Sequence, residues 1–120
     1  MHILIVDDSR VMRNIVTRTL RQAGYGDHEL SEASDGRQAL EAILASQPDL
    51  VLSDWNMPEM DGLELLQALR TAGVNVTFGF VTTEGSPQMR ERAADAGAAF
   101  LIAKPFTADT FREFLEPVLA

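Results

Sequence analysis

Cysteine is absent from the sequence, and basic residues are scarce. None of the 120 residues is a cysteine, which excludes disulfides and thiolate metal sites and fits a reducing compartment. Ten lysines and arginines stand against eighteen aspartates and glutamates, for a formal net charge of −8. Because nucleic-acid binding requires a basic face, this charge argues against a nucleic-acid partner.

Long apolar runs are missing as well. No apolar segment approaches the roughly 20 residues that cross a bilayer, so the sequence predicts no membrane span. The first residues run directly into a strand pattern and leave no room for a signal peptide. With 46% apolar and 23% charged residues, the composition is typical of a soluble globular protein. We therefore expect a cytoplasmic protein whose residues 1–120 form one domain, since this length supports a single core.

Apolar runs and segments with helical spacing alternate five times along the chain. The sequence predicts strands at 3–6, 29–33, 50–53, 76–81 and 99–103. Helices are predicted at 10–23, from 34–36 to Pro48, at 62–70, at 86–96 and from 108 onward. Short connections between successive strands require parallel pairing with right-handed crossovers. The pattern therefore predicts an α/β fold, a doubly wound (βα)5 unit whose five-stranded parallel sheet carries helices on both faces.

Two helix ends carry special residues. Gly24 is expected to end the first helix, because glycine readily adopts the left-handed conformation that closes a helix. Pro117 is expected to kink the last helix or end it early, because proline has no N–H to donate within a helix.

Polar residues follow four of the five predicted strands. Asp7 and Asp8 follow the first strand, Asp54 follows the third, Thr82 the fourth and Lys104 the fifth. In a parallel sheet these strand ends lie along one edge, which is where ligands bind in open α/β folds. We therefore expect three carboxylates, a hydroxyl and an ammonium group to converge, with no histidine or cysteine among them.

The converging carboxylates predict a metal site. Three carboxylates at short range repel one another and raise one another's pKa values unless a cation lies between them. Ligands that are all oxygen favour a hard divalent ion such as Mg²⁺. Asp8 is expected to bind this ion directly, and Asp7 either directly or through water.

The same set of residues suits phosphoryl transfer. A carboxylate can act as a nucleophile and form an acyl phosphate, and the reaction otherwise requires a metal, cations and positioning. We interpret Asp54 as the nucleophile. The charge of Lys104 and the hydroxyl of Thr82 would then act on the phosphoryl group.

Each of these residues also has a purely structural interpretation. Asp8 alone could cap the following helix, and Asp54 alone could be a solvated loop residue. Lys104 followed by Pro105 could mark only the exit from a strand. The functional interpretation is favoured because residue types that suit one chemistry occur at four of the five strand ends.

Several of these residues belong to longer motifs. The motifs are Asp7-Asp8, Asp54 with the loop Met57-Pro58-Glu59-Met60-Asp61-Gly62, Thr82, and Lys104-Pro105-Phe106. In this order they resemble the receiver domains of response regulators, and the run 53–66 is similar to the single-domain chemotaxis (CheY-like) type almost letter for letter. The resemblance spans all five βα units. It implies the flavodoxin-like strand order 2-1-3-4-5, which the order of elements alone does not determine.

The resemblance implies a two-component signalling protein and not an enzyme that acts on an external substrate. A histidine kinase or a phosphotransfer protein would donate a phosphoryl group to Asp54 in a Mg²⁺-dependent reaction. The surface formed by helix 4, strand 5 and helix 5 would then switch for a downstream target, such as a flagellar motor component. We expect the protein to be a monomer.

The resemblance also implies roles for individual residues. The metal ligands that it implies are Asp7, Asp8, Asp54 and the backbone carbonyl of Asn56. Thr82 and Lys104 would bind the phosphoryl oxygens, and the bond between Lys104 and Pro105 would be cis. Because Asn56 and Glu84 match the chemotaxis type beside the site, self-catalysed loss of the phosphoryl group is expected to be fast.

One position departs from the family pattern. The aromatic residue that usually lies three residues before the lysine is replaced by Leu101, with Phe100 beside it. Neighbouring strand residues point to opposite faces, so Phe100 cannot simply replace the missing ring. Either Leu101 couples through packing alone, or a bulge in this strand brings Phe100 into register.

Three alternative functions stay open at the level of sequence. The chain could be a Mg²⁺-dependent phosphohydrolase with an aspartyl-phosphate intermediate, although it has no cap or long insertion to form a substrate pocket. It could be a receiver cut from a larger regulator. It could also be a scaffold that binds partners without phosphorylation, which the complete set of site residues disfavours.

Overall fold

Five short strands build one parallel sheet in the computed structural model, which describes residues 1–119. The strands are β1 (His2–Val6), β2 (Glu29–Ala33), β3 (Leu50–Ser53), β4 (Thr77–Thr82) and β5 (Phe100–Ala103). They pair in the order β2-β1-β3-β4-β5, which confirms the flavodoxin-like order. β3 therefore lies in the middle of the sheet, between β1 and β4.

Five helices connect and follow these strands. They are α1 (Arg10–Leu20), α2 (Gly36–Ala45), α3 (Gly62–Thr71), α4 (Pro87–Asp95) and α5 (Ala108–Leu119). Ser9, Asp35, Asp61 and Ser86 cap the first four, each accepting a hydrogen bond from a backbone N–H in the first turn. α1 continues into a wider π-type turn, Arg21–Tyr25, in which Gly24 has a φ of 100°. The left-handed turn predicted at Gly24 is therefore present, although the helical segment ends less abruptly than expected.

The last helix corrects one prediction. α5 continues through Pro117 to Leu119, so the prediction that Pro117 ends this helix early is wrong. Pro117 lies in the last turn and is exposed, as is Glu113, whose carbonyl loses the hydrogen bond that proline cannot donate. Because that carbonyl lies on the solvent side, water can satisfy it and the turn tolerates the proline.

The core is divided between the two faces of the sheet. One layer packs between the sheet and α2, α3 and α4, and its largest buried side chains include Leu66, Phe78 and Phe80. The other packs between the sheet and α1 and α5, around Leu20 and Phe111. The alternation of strand residues between these layers holds every strand in register and brings the carboxyl ends of β1, β3, β4 and β5 to one edge. Within residues 1–119, no helix has both the length and the apolar character needed to cross a membrane.

Candidate functional site

Asp54 lies at the carboxyl end of the central strand. Its N–H donates to the carbonyl of Val6 at 2.8 Å, which extends the pairing of β3 with β1 by one residue. Its Oδ1 accepts a hydrogen bond from the N–H of Trp55 at 2.8 Å, and its side chain is 14% exposed. A Cβ at Gly62 would collide with the carbonyl oxygen of Asp54, so the close approach of α3 to this residue requires glycine. The carboxylate is therefore held from behind and reachable from one side.

Two more carboxylates lie beside it, as the strand ends predict. One side-chain oxygen each from Asp7, Asp8 and Asp54 lies within 4.8 Å of the others. Their exposure is graded, since Asp7 is buried, Asp54 is intermediate and Asp8 is exposed. The three groups therefore form a small acidic pocket that opens to solvent at Asp8.

Lys104 closes the pocket from β5. Its Nζ lies 3.2 Å from Oδ2 of Asp7 and 3.7 Å from Oδ1 of Asp54, and its side chain is 10% exposed. It is the only lysine in the sequence. The bond between Lys104 and Pro105 is cis, which confirms the prediction. One buried ammonium group thus faces two of the three carboxylates.

Burial changes the acidity of Asp54. Desolvation raises the pKa of its carboxyl above the ordinary value, because the charged form loses water contacts. Lys104 lowers this pKa, whereas repulsion from Asp7 and Asp8 raises it further. The net direction is upward, so the ammonium group only partly offsets the cost of ionising Asp54 in this pocket.

The donor set fits a hard divalent cation such as Mg²⁺. All three side chains offer carboxylate oxygens, which Mg²⁺ prefers. Both carboxylate oxygens of Asp7 already accept hydrogen bonds, Oδ1 from the N–H of Ser9 at 2.9 Å and Oδ2 from Lys104. Asp8 and the second oxygen of Asp54 are therefore the more accessible carboxylate oxygens of this set.

Two loops meet above the pocket. Thr82, at the end of β4, is fully buried, and its Oγ1 accepts a hydrogen bond from the N–H of Glu84 at 3.3 Å. The Oε1 atom of Glu84 accepts one from Nδ2 of Asn56 at 3.2 Å. The hydrogen bond between Asn56 and Glu84 therefore joins the loop after β3 to the loop after β4.

The chain matches a known protein family over most of its length. A family model described as the response regulator receiver domain matches residues 3–116. The chain belongs to the response regulator receiver domain family.

Curated relatives and solved structures agree with this assignment. The receiver is 41% identical over 122 residues to the chemotaxis protein CheY1 of Helicobacter pylori, covering 99% of this chain and 97% of that protein. It is 36% identical over 118 residues to a probable chemotaxis protein CheY of Rhizobium etli, covering 97% and 90%. A crystal structure of the chemotaxis response regulator CheY4 of Vibrio cholerae has a TM-score of 0.85 at 35% identity, covering 98% and 97%.

The pairing of β5 shows how the receiver is built at Leu101, where the family usually has an aromatic residue. β4 and β5 pair in continuous register, with Gly79 opposite Phe100 and Phe80 opposite Leu101. The alternative in which a bulge brings Phe100 into the place of Leu101 is therefore wrong. Leu101 is buried on the face that carries α4, whereas Phe100 lies over Gly79 on the other face, 5.8 Å from the ring of Phe114.

Three arginines near the site were not anticipated from the sequence. Arg13 of α1 donates from Nη1 to the backbone carbonyl of Asp7 at 2.7 Å. The signal that could have revealed it is its spacing, because an arginine three residues before Val16 and seven before Leu20 lies on the apolar stripe of α1. The other two arginines, Arg90 and Arg92, belong to α4.

The arginines of α4 attach this helix to its surroundings. Arg90 donates from Nε to the carbonyl of Gly85 at 3.1 Å and from Nη1 to the carbonyl of Leu101 at 3.0 Å. The guanidinium of Arg92 lies 5.7 Å from the ring centroid of Trp55, the residue that follows the central carboxylate. α4 is therefore connected both to β5 and to the loop after β3.

Proposed function

We propose that this receiver carries a phosphoryl group on Asp54 and that residues 1–120 act together as one signalling domain of the chemotaxis type. A phosphohistidine of a histidine kinase or a phosphotransfer protein would be the donor. The phosphoryl group would then control binding to a downstream protein. The observation that carries the proposal is the acidic pocket, three carboxylates within 4.8 Å of one another and faced by the only lysine.

The pocket supplies what transfer to a carboxylate requires. An oxygen of Asp54 would attack phosphorus, the P–N bond of the donor would break, and the leaving imidazole would take up a proton from solvent. Mg²⁺, when bound, would neutralise phosphoryl oxygens and the neighbouring carboxylates. Asp8, Asp54 and the backbone carbonyl of Asn56 would hold it, with Asp7 acting through water.

Lys104 has a separate part in this chemistry. Its ammonium group lies 3.7 Å from the carboxylate oxygen of Asp54, so a phosphoryl group on that residue would lie within its reach. The side chain is 10% exposed, and a charge-assisted hydrogen bond in a pocket of this kind is stronger than one in water. Lys104, which now pairs with Asp7, would therefore turn part of its charge to the phosphoryl group and stabilise it.

The contacts of Thr82 support a route from the pocket to α4. The hydroxyl of Thr82 now accepts from the N–H of Glu84, and a phosphoryl group on Asp54 would offer it a stronger partner. Turning toward that partner would release Glu84 and the start of the loop before α4. Moving a competent minority of about 1% to about 99% requires roughly 5.5 kcal/mol of differential stabilisation, which several charge-assisted hydrogen bonds can supply in part or in full.

Labelling with a small phosphodonor tests the proposal. Incubation with acetyl phosphate and Mg²⁺ is expected to add one phosphoryl group to the wild-type protein, detected by intact mass, and none to the Asp54→Asn variant. Asp61→Asn is the matched control, because it removes a nearby carboxylate while asparagine keeps the cap of α3. Persistent labelling of the Asp54→Asn variant would refute the assignment of the acceptor.

A further inference from the structure

We propose that Arg13 is a positioning residue for the divalent cation site, because it holds the turn after β1 in the shape that presents Asp8 to the metal. This inference rests on the proposed function, since it assumes that the acidic pocket binds Mg²⁺. Arg13 would not touch the metal or the phosphoryl group. It would act through the backbone of Asp7.

Arg13 is a bridge between three elements. From α1, its Nη1 donates to the backbone carbonyl of Asp7 at 2.7 Å, at the end of β1. Its Nε donates to Oε1 of Glu32 at 2.9 Å, on the neighbouring strand β2, where Glu32 is in register with Ile5. The side chain of Arg13 is only 15% exposed, so its guanidinium is a fixed part of the structure and not a freely moving surface charge.

The hydrogen bond from Arg13 to the carbonyl of Asp7 affects Asp8, because that carbonyl belongs to the peptide unit that joins the two residues. The carbonyl of Asp7 and the N–H of Asp8 form one planar peptide unit, so holding the oxygen sets the rotation of the whole unit. That rotation sets the direction in which the side chain of Asp8 leaves the backbone. Asp8 is exposed, so packing does little to fix its direction, and the backbone must do it.

Asp7 itself is held at every polar atom of its main chain and side chain. Its N–H donates to the carbonyl of Ala33 at 3.2 Å, and its carboxylate accepts from Ser9 and Lys104 at 2.9 and 3.2 Å. Arg13 supplies the remaining contact, to the carbonyl. Removing Arg13 would take this contact from the carbonyl, so the peptide between Asp7 and Asp8 could rotate more freely.

If only the charge of Arg13 mattered, its removal would change Mg²⁺ affinity in the opposite direction from the loss of a positioning residue. A guanidinium near a dication site repels the metal, so if Arg13 were only a nearby charge, its removal would strengthen Mg²⁺ binding. If Arg13 is a positioning residue, its removal weakens Mg²⁺ binding. Removing Arg13 would also leave the carboxylate of Glu32, now paired with it at 2.9 Å, uncompensated, which favours a cation further. Weaker Mg²⁺ binding by Arg13→Met could therefore come only from lost positioning.

Magnesium titrations of three variants test the inference. Trp55 is the only tryptophan and follows Asp54 directly, so its fluorescence can report Mg²⁺ binding. Arg13→Met is expected to weaken Mg²⁺ binding about tenfold, the low end of the effect usually seen when a group that orients a metal ligand is removed. Arg13→Lys keeps the charge but cannot form both bonds in the same geometry, so it is expected to lose most of the same affinity.

Arg10→Met is the matched control, because Arg10 is an exposed arginine at the start of α1 and carries the same charge. It is expected to bind Mg²⁺ as tightly as the wild type or slightly more tightly. Urea unfolding without Mg²⁺ shows whether each variant is folded. If Arg13→Met does not fold, the Arg13→Lys variant still decides the question, since a role of charge alone predicts unchanged affinity for it.

Three outcomes are distinguishable. Weaker Mg²⁺ binding by both Arg13 variants, with acetyl phosphate labelling restored at saturating Mg²⁺, supports the inference. Equal or tighter binding by either variant, while the wild type binds, overturns the inference and leaves the proposed function intact. A wild type that binds no Mg²⁺ refutes the metal site itself and with it both proposals.

Discussion

α3 and α4 follow the two loops that a hydrogen bond between Asn56 and Glu84 joins beside the pocket, yet they are attached to the sheet in different ways. α3 buries five residues, Gly62, Leu63, Leu65, Leu66 and Leu69, and its first turn is closed by a reciprocal cap between Asp61 and Glu64. α4 buries only Ala93 and is otherwise connected by the hydrogen bonds of Arg90 and by Arg92 over Trp55. One helix is therefore held by apolar burial and the other by polar contacts.

This difference indicates which side of the pocket responds to a change at Asp54. Displacing α3 would expose its buried leucines to water. Displacing α4 would exchange hydrogen bonds with protein for hydrogen bonds with water, which costs far less free energy. A phosphoryl group on Asp54 is therefore expected to leave α3 in place and move α4 together with the loop before it.

The largest effect on the free energy of unfolding is expected when one apolar side chain is truncated on each helix. Leu66 of α3 is fully buried, so Leu66→Ala is expected to lower the free energy of unfolding by about 3 kcal/mol. Met89 of α4 is only partly buried, so Met89→Ala is expected to cost less than about half as much. Urea unfolding of both variants measures the difference, and equal costs would contradict the view that α4 is the weakly packed helix.

The second prediction concerns the hydrogen bonds by which Arg90 attaches α4 to its surroundings. Arg90→Met deletes the donors to Gly85 and Leu101, and because Arg90 is exposed we expect a loss of about 1 kcal/mol, confined to α4. Hydrogen exchange of the backbone amides should then be about fivefold faster in α4 and unchanged in α3. Arg37→Met removes an exposed arginine from α2 and is the control. Faster exchange throughout the protein would mean that Arg90 supports the global fold and not α4 in particular.

Much of this fold could be predicted from sequence, because β1, β3 and β5 are mainly apolar runs and site residues follow them directly. Parallel strands end at one edge whatever their order, so their direction alone placed Asp7, Asp54 and Lys104 along that edge, and the strand order then brought them close together. The strand order itself needed the resemblance to receivers, since right-handed crossovers permit more than one order. The structural alternative in which Asp8 caps the first helix is wrong, since Ser9 is the capping residue of α1.

What could not be predicted depends on contacts between residues that are distant in sequence. The bonds of Arg13 and Arg90 join segments that sequence patterns treat separately, and a long side chain has many possible partners before the fold is known. The register of β5 decided between two arrangements of Phe100 and Leu101, which alternation alone left open. The expectation that Pro117 ends the last helix early was wrong, because the cost of a proline depends on whether the carbonyl that it orphans faces water. The kink expected at Pro117 stays a prediction.

The third prediction concerns Asp54, which lies between the two helices. Burial raises the pKa of its carboxyl above the unfolded value of 3.8. The native state therefore binds more protons than the unfolded state between pH 3.8 and that raised pKa. Across this window the free energy of unfolding contributed by Asp54 falls as pH rises, and above it the ionised carboxylate remains a net cost to the fold.

Asp54→Asn removes this cost without changing the size of the side chain. In buffer that contains a chelator, the variant is expected to be more stable than the wild type at neutral pH, with an advantage that shrinks as pH falls toward about 4. Urea unfolding at several pH values measures it. Added Mg²⁺ should reduce the advantage, because a cation that binds the native pocket stabilises the wild type more. An advantage that is independent of pH would show that the ionisation of Asp54 is not its source and would contradict this prediction.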